Sequence, residues 1–241
     1  MQIEGKNAVR ELLTSKYTIE KLSVLDGTKD VDIRGIIKTA KDAGIKVEFI
    51  SKAILDAKSV TKHHQGIIAE ATEFVYSNLD EIINEAKSKN EDLLFLLLDG
   101  LSDPHNLGSI MRVAECAGVT AIIIPKNRSV LVNETVVRVS AGASEHVKVV
   151  KVTNLNNCIK ELKKRGVFVY GADMDGNLMY NANLTGDIAI VIGSEGFGIS
   201  SLTKKECDEI VAIPMFGKVN SLNASVSAGI VVYEAIRQRR K

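Results

Sequence analysis

The rhythm of apolar positions along the 241-residue chain changes once, near residue 93. Before it, "GKNAVRELLTSK", "DIRGIIKTAKDAG" and "SKAILDAKSV" carry apolar residues at helical spacing, while "IEKLSVLD", "KVEFI" and "GIIAEATEF" are short and rich in β-branched residues. In order they predict helix, strand, helix, strand, helix, strand, a small α/β unit over residues 1–76. "SNLDEIINEAKSKNED" follows, with alternating charges and only Leu79, Ile82 and Ile83 as bulky apolar residues, and reads as a linker over 77–92 ending in an exposed helix. From 93 to 241 the runs "LLFLLLDG", "TAIIIP", "HVKVVKV", "VFVYGAD", "DIAIVIGSE" and "EIVAIPM" are nearly apolar throughout, separated by helical stretches. A strand apolar on both faces is covered on both, so this part predicts a parallel sheet in a doubly wound α/β domain. In such sheets ligands sit beyond the carboxyl ends of the strands. The residues just after each run are therefore the candidates for function.

Composition changes this picture little. With 45% hydrophobic and 25% charged residues the chain is ordinary globular material, and 31 Lys+Arg against 30 Asp+Glu leave no global signature of a nucleic-acid binder. Any basic footprint must be local. Cys116, Cys158 and Cys207 are far apart and lack CxxC spacing, which argues against a disulfide framework or zinc knuckle and for small packing residues in a reducing compartment. "MQIEGKNAVRELL" lacks the apolar core of a signal peptide, and no apolar run approaches the roughly 20 residues of a membrane helix. The expected location is the cytoplasm, with no membrane partner. His63 and His64 in "KHHQGIIAE" would point to opposite faces of a strand and have no Cys or carboxylate array around them, while His105 and His146 stand alone; no metal is expected.

Three stretches after apolar runs carry the candidate chemistry. In "LDGLSDPHNLGSIMRVAECAG", Pro104 interrupts any ladder, Asn106 can cap the following helix and Gly108 admits a close neighbour. Arg112, among Ile110, Val113 and Ala114, needs an anion: either a structural carboxylate or a ligand. In "VIGSEGFGIS", Gly193, Gly196 and Gly198 suggest a backbone that turns tightly against a ligand, without the GxGxxG spacing of a dinucleotide fold. Glu195 within it is either a helix cap near Ser200 or a working carboxylate. In "IPMFGKVNSLNASVSAGIVVYEA", the polar set Asn220, Ser221, Asn223, Ser225 and Ser227 exceeds what capping one helix requires. The surplus points to a polar ligand.

In this order the three stretches resemble the three motifs of the SpoU (TrmH-like) branch of the SPOUT RNA methyltransferases, and "VRVSAGASEHVKVVKVTNL" between them follows the same pattern. The N-terminal stretches "IEGKNAVRELL" and "HHQGIIAE" resemble the ribosomal-protein-like RNA-binding domain of its two-domain members, closest to the RlmB subgroup, which methylates a guanosine ribose of large-subunit rRNA. One departure is Cys116, where the family usually has an aromatic residue.

The resemblance implies a C-terminal parallel-sheet SPOUT domain over 93–241 with a deep trefoil knot, whose knotted chain forms the S-adenosylmethionine site, and a substrate RNA-binding domain over 1–76. Small residues Ala224, Ser225, Ala228 and Gly229 would let the last helix pass close to its neighbours. It implies Arg112 at the ribose hydroxyl or a phosphate, oriented with Asn106, Glu195, Ser221 and Asn223, and cofactor contacts at Gly171, Gly193, Glu195, Gly196, Ile213, Met215, Ser221 and Leu222. A guanidinium is hardly ever neutral, so Arg112 is expected to position rather than to act as a base. The implied partners are structured RNA, 23S rRNA or a ribosome precursor, and a second copy of the chain; a tRNA ribose or an antibiotic-resistance site on rRNA are the alternatives. A decayed, purely RNA-binding relative would carry lesions in these motifs. None is visible.

Overall fold

A computed structural model describes residues 1–14, 17–72, 74–218 and 221–240. The chain forms two compact units, Met1–Val75 and Tyr76–Lys241.

In the first unit β1 (Gln2–Glu4), α1 (Lys6–Leu13), β2 (Thr18–Leu25), α2 (Val31–Asp42), β3 (Lys46–Ile50), α3 (Lys52–Lys58) and β4 (Ile67–Thr72) follow one another. Among the described residues the sheet order is β1-β4-β2-β3, with β2 and β3 parallel and the other pairs antiparallel. Asp30 caps α2 by accepting from the amides of Asp32 and Ile33, and Ile33, Ile36 and Ala40 on one face of that helix are buried with Leu22, Val24 and Ala69. β1 was not expected; three residues are too few to show an alternation. Ser15 and Lys16 of the expected first helix, and Glu73 of the expected last strand, lie outside the described residues.

The second unit runs α4 (Leu79–Ser88), β5 (Leu94–Asp99), α5 (Pro104–Ala117), β6 (Ala121–Pro125), α6 (Glu134–Val139), β7 (Val149–Val152), α7 (Leu155–Lys164), β8 (Phe168–Leu178), β9 (Ile188–Gly193), α8 (Ser201–Glu206), β10 (Glu209–Ala212) and α9 (Ala224–Arg239). Among the described residues the six expected apolar runs become six parallel strands in the order β10-β8-β9-β5-β6-β7. Phe95 and Leu97 point to one buried face with Ile83 and Ile159, and Leu94, Leu96 and Leu98 are equally buried on the other. The chain moves from β5 outward to β7 and returns on the other side of β5, so the order reverses between β5 and β9, where such sheets bind ligands.

The segment expected as a linker behaves differently. α4 buries Ile82, Ile83 and Ala86 in the core of the second unit, and the Tyr76 hydroxyl accepts from the Val132 amide at 2.9 Å. Three apolar residues at i, i+1 and i+4 suffice to seat a short helix, although its other positions are charged or small.

Candidate active site

Three connections leave the carboxyl ends of β5, β9 and β10, and hydrogen bonds between their side chains draw them together. After β5, Asp103 and not Asn106 caps α5, accepting from the His105 amide at 2.9 Å, with Pro104 as the first helical residue. This frees Asn106, buried in the first turn, to donate through Nδ2 to Asp103 Oδ2 at 3.3 Å and to Glu195 Oε1. Gly108 is required by packing: a Cβ there would lie 2.7 Å from Val139 Cβ and 2.9 Å from the Val136 carbonyl oxygen on α6.

After β9 the chain folds back on itself. Ser194 and Gly198 exchange backbone hydrogen bonds of 3.1 and 2.8 Å, and Gly198 takes a φ of +63°. A Cβ on Gly193 would sit 2.0 Å from the Gly198 carbonyl carbon, so only glycine permits this turn. Gly196 differs, since a Cβ there would meet nothing within 4 Å. Its side is open to the cavity. Asp99 at the end of β5 anchors the exit of the turn, accepting from the Ser200 amide at 2.8 Å, and Ser200 itself caps α8. The capping alternative for Glu195 therefore falls, because its carboxylate is taken by the amide groups of Asn106 and Asn223.

After β10, Asn223 serves both ends of its side chain. Its Oδ1 caps α9, accepting from the amides of Ser225 at 2.9 Å and Val226 at 3.3 Å, while its Nδ2 donates to Asn106 Oδ1 at 2.8 Å and Glu195 Oε1 at 2.7 Å. The polar surplus in this stretch thus divides by role. Asn223 caps and bridges, Ser225 turns its hydroxyl to Asn223 Oδ1 at 2.6 Å, and Ser221 and Ser227 line the cavity. Asn220 lies outside the described residues.

These connections enclose a cavity of about 450 Å³. Gly193, Glu195, Gly196, Ile213, Met215, Ser221 and Leu222 line it, as does Ala224 on the first turn of α9. Gly171 does not. It faces away, where a Cβ would meet Ile210 Cδ1 at 2.8 Å, Cys207 Sγ and Ile199 Cδ1 at 3.1 Å, and its neighbour Ala172 reaches the lining instead. Arg112 also stands apart from the network. It is exposed on α5 and makes no hydrogen bond or ion pair with any described residue, so no described carboxylate serves as its structural partner.

One wall was not anticipated. β8 pairs with β10 at Gly171–Ile210 and again at Asn177–Val211, so residues 172–176 bulge out of the ladder while β10 advances by a single residue. The bulge brings Asp173, Met174 and Asp175 to the cavity, and the Lys204 ammonium on α8 meets Asp173 at 2.8 Å and Asp175 at 3.4 Å. The hydrogen bond to Asp173 raises the Lys204 pKa above its ordinary value. The turn-rich composition of "DMDGN" after a strand was its only signal in the sequence. The cysteines divide. Burial pushes the Cys158 thiol up to about 11 and the half-buried Cys207 up to about 12, as packing residues, whereas Cys116 is exposed on α5.

Two family models match the chain. One, the SpoU rRNA Methylase family, matches residues 93–233, and the other, RNA 2′-O ribose methyltransferase substrate binding, matches residues 2–77. YacO of Bacillus subtilis (strain 168), whose name refers it to the TrmH family of tRNA/rRNA methyltransferases, is 44% identical over 244 residues, 98% of this chain and 94% of its own length. A protein of Staphylococcus aureus (strain COL) named for the same family is 45% identical over 239 residues, 98% of this chain and 96% of its own. Among solved structures, the SpoU methyltransferase AviRb of Streptomyces viridochromogenes, crystallised in complex with AdoMet, matches with a TM-score of 0.64 at 24% identity, covering 100% of this chain and 91% of that one. That last likeness is one of fold.

Proposed function

Because the chain belongs to the SpoU rRNA Methylase family and is an RNA 2′-O-ribose methyltransferase acting on tRNA or rRNA, we propose that its cavity binds S-adenosylmethionine and that its substrate is a guanosine ribose of 23S rRNA, as in the RlmB subgroup. The single observation that carries this reading is the Asn106–Glu195–Asn223 network, which ties the three strand ends around one ligand-sized cavity. The lining suits the cofactor. Ile192, Val211, Ile213 and Leu222 supply apolar wall for a flat base, Gly196 leaves open space, and Glu195 carries a charge opposite to a sulfonium.

S-adenosylmethionine, when bound, supplies a methyl group already activated by its sulfonium. The chain's own task is then to place the ribose 2′-hydroxyl in line and to let its proton leave as the new O–CH₃ bond replaces the S–CH₃ bond. Arg112, exposed and without a partner among the described residues, is free to grip the ribose oxygen or a neighbouring phosphate, with Asn106, Glu195, Ser221 and Asn223 orienting the target. A permanently protonated guanidinium acts there by position and charge, and solvent or a phosphate takes the proton. Gly193, Glu195, Gly196, Ile213, Met215, Ser221 and Leu222, with Ala172 beside Gly171, hold the cofactor.

The working form is a homodimer with a knotted second unit. Val226 and Tyr233 on α9, each about half exposed, and the nearly fully exposed Phe197 and Phe216 supply apolar surface for a partner subunit to cover. The first unit selects the RNA, and a substrate in rRNA places the enzyme in the cytoplasm, where ribosomes are made. Mapping 2′-O-methyl groups on rRNA and tRNA from a deletion strain and its complemented parent tests the assignment. One guanosine of 23S rRNA should lose its methyl group; loss at a tRNA ribose, with rRNA unchanged, would overturn the choice of substrate.

A further inference from the structure

One end of the first unit is built from three chain segments lashed together. The Gln65 carboxamide oxygen accepts from the Lys6 amide at 3.0 Å, and the Lys6 ammonium meets Asp30 at 2.9 Å and Asp32 at 3.2 Å. This joins the start of α1, the start of α2 and the connection 59–66 that precedes β4. The connection is held in an uncommon shape: Lys62 and Gln65 have φ values of +61° and +50°, a region that glycine or asparagine enters at less cost. What holds it is Glu4. The carboxylate accepts from Ser59 Oγ and the Val60 amide, both at 2.7 Å, from the Thr61 amide at 3.3 Å, and from the Thr61 hydroxyl. His64 adds a second clasp, with Nε2 2.7 Å from Asp56 Oδ1 and Nδ1 accepting from the Gly66 amide at 3.0 Å.

This frame carries exposed side chains that contribute little to holding the unit together. Lys29, Lys62 and His63 are exposed and have no carboxylate partner among the described residues; the Lys62 ammonium donates only to the Asp56 carbonyl, at 2.9 Å. Val31 and Val60 are 81% and 79% exposed. Backbone strain persists only where the surroundings over-determine it, and it concentrates at binding sites. Cations mixed with exposed apolar groups match RNA whose bases are unstacked, because phosphates take the cations while sugar and base faces take the apolar side chains. A regular duplex offers only the first of these.

Building on the reading of the first unit as the substrate-binding domain, we propose that Lys29, Val31, Val60, Lys62 and His63 form the surface on which it grips a locally unstacked segment of its structured RNA substrate. The preset connection holds the backbone of Val60, Lys62 and His63 before the RNA arrives, so that little ordering of that segment is left for binding.

The test is equilibrium binding of full-length protein to two probes, deproteinised 23S rRNA and bulk tRNA, over a series of salt concentrations. Lys29→Glu/Lys62→Glu should weaken binding to the preferred RNA at least about tenfold and flatten the salt dependence by roughly one to two phosphate contacts. The matched double change Lys38→Glu/Lys87→Glu, at exposed positions elsewhere with no ion pair among the described residues, should cost less than about threefold by the general charge term alone. His63→Ala, a single exposed ring with no side-chain hydrogen bond to any described residue, should still weaken binding severalfold and guards against misfolding of the charge variant. Wild-type binding with the first double variant and His63→Ala no weaker than the control would overturn the proposal. Wild-type protein that binds neither RNA would instead remove the functional reading on which it rests.

Discussion

Replacing Asn223 separates two functions that the structure gives to one side chain. Its oxygen caps α9 and its amide nitrogen bridges Asn106 and Glu195 at 2.8 and 2.7 Å. Loss of a cap costs about 1 kcal/mol. Loss of the bridge strands the carboxamide oxygen of Asn106, which is buried, at about 1 kcal/mol or more, and removes a bond to the exposed Glu195 carboxylate that solvent screening holds to about 1 kcal/mol. Asn223→Ala should therefore destabilise by about 3 kcal/mol and Asn223→Ser, which keeps a capping oxygen, by about 2 kcal/mol. For a unit of this size these correspond to melting shifts of roughly 6–12 °C and 4–8 °C. Asn223→Asp also keeps the cap but sets a second carboxylate against Glu195, so its loss should exceed that of serine at low salt and shrink as salt rises. Melting curves should be paired with calorimetry of S-adenosylmethionine binding, which should weaken in all three because the turn carrying Glu195 loses its tether. If Asn223→Ser melts with wild type and binds the cofactor equally well, the bridge contributes nothing and the residue is only a cap.

Three other outcomes follow from the geometry. Gly193→Ala would push a Cβ to 2.0 Å from the Gly198 backbone, so the turn must open: stability should fall by about 1–3 kcal/mol and cofactor affinity with it, and a variant that binds the cofactor like wild type would show that the turn is not part of the site. Arg112→Ala strands no described carboxylate, so its unfolding free energy should stay within about 0.5 kcal/mol of wild type while single-turnover methyl transfer drops by orders of magnitude, and lysine should not rescue it; a destabilised variant whose folded fraction is fully active would end that role. Desolvation alone would raise the Glu4 carboxyl, but hydrogen bonds from Thr61, Ser59, Val60 and Gln2 outweigh it and bring the pKa from 4.5 to about 2. A depressed carboxyl stabilises above its unfolded pKa and loses that contribution as pH falls through the folded one, so amide-exchange protection at Val60 and Thr61 should persist at pH 5 and fade toward pH 2. Glu4→Gln should lack that transition, and an unchanged profile in the variant would refute the tether.

What the sequence disclosed follows from how locally each feature is encoded. Six apolar runs announced six covered parallel strands because both faces of each strand had to avoid water, and the three motifs after them carried the resemblance to the family whose model matches residues 93–233. The helix from 79 to 88 reads as exposed in the sequence because its buried face is only Ile82, Ile83 and Ala86, a signal that its charges overwhelm. The choice between Asp103 and Asn106 as the cap could not be made from residue type, since both can cap; backbone geometry decides it, and once Asp103 takes the amide, Asn106 is available to Glu195. The wall at Asp173–Asp175 has no periodicity at all, because its shape comes from where β10 resumes pairing with β8. Arg112 is the reverse case. Its apolar neighbours suggested a buried charge in need of a partner, but α6 and α9 pack on other faces of α5, through Gly108 and Val113, and leave the guanidinium in solvent. A helix in a layered domain divides its faces among neighbours that one sequence window does not name, so the chain can declare which residues are chemical while only the assembled fold declares which of them are free to act.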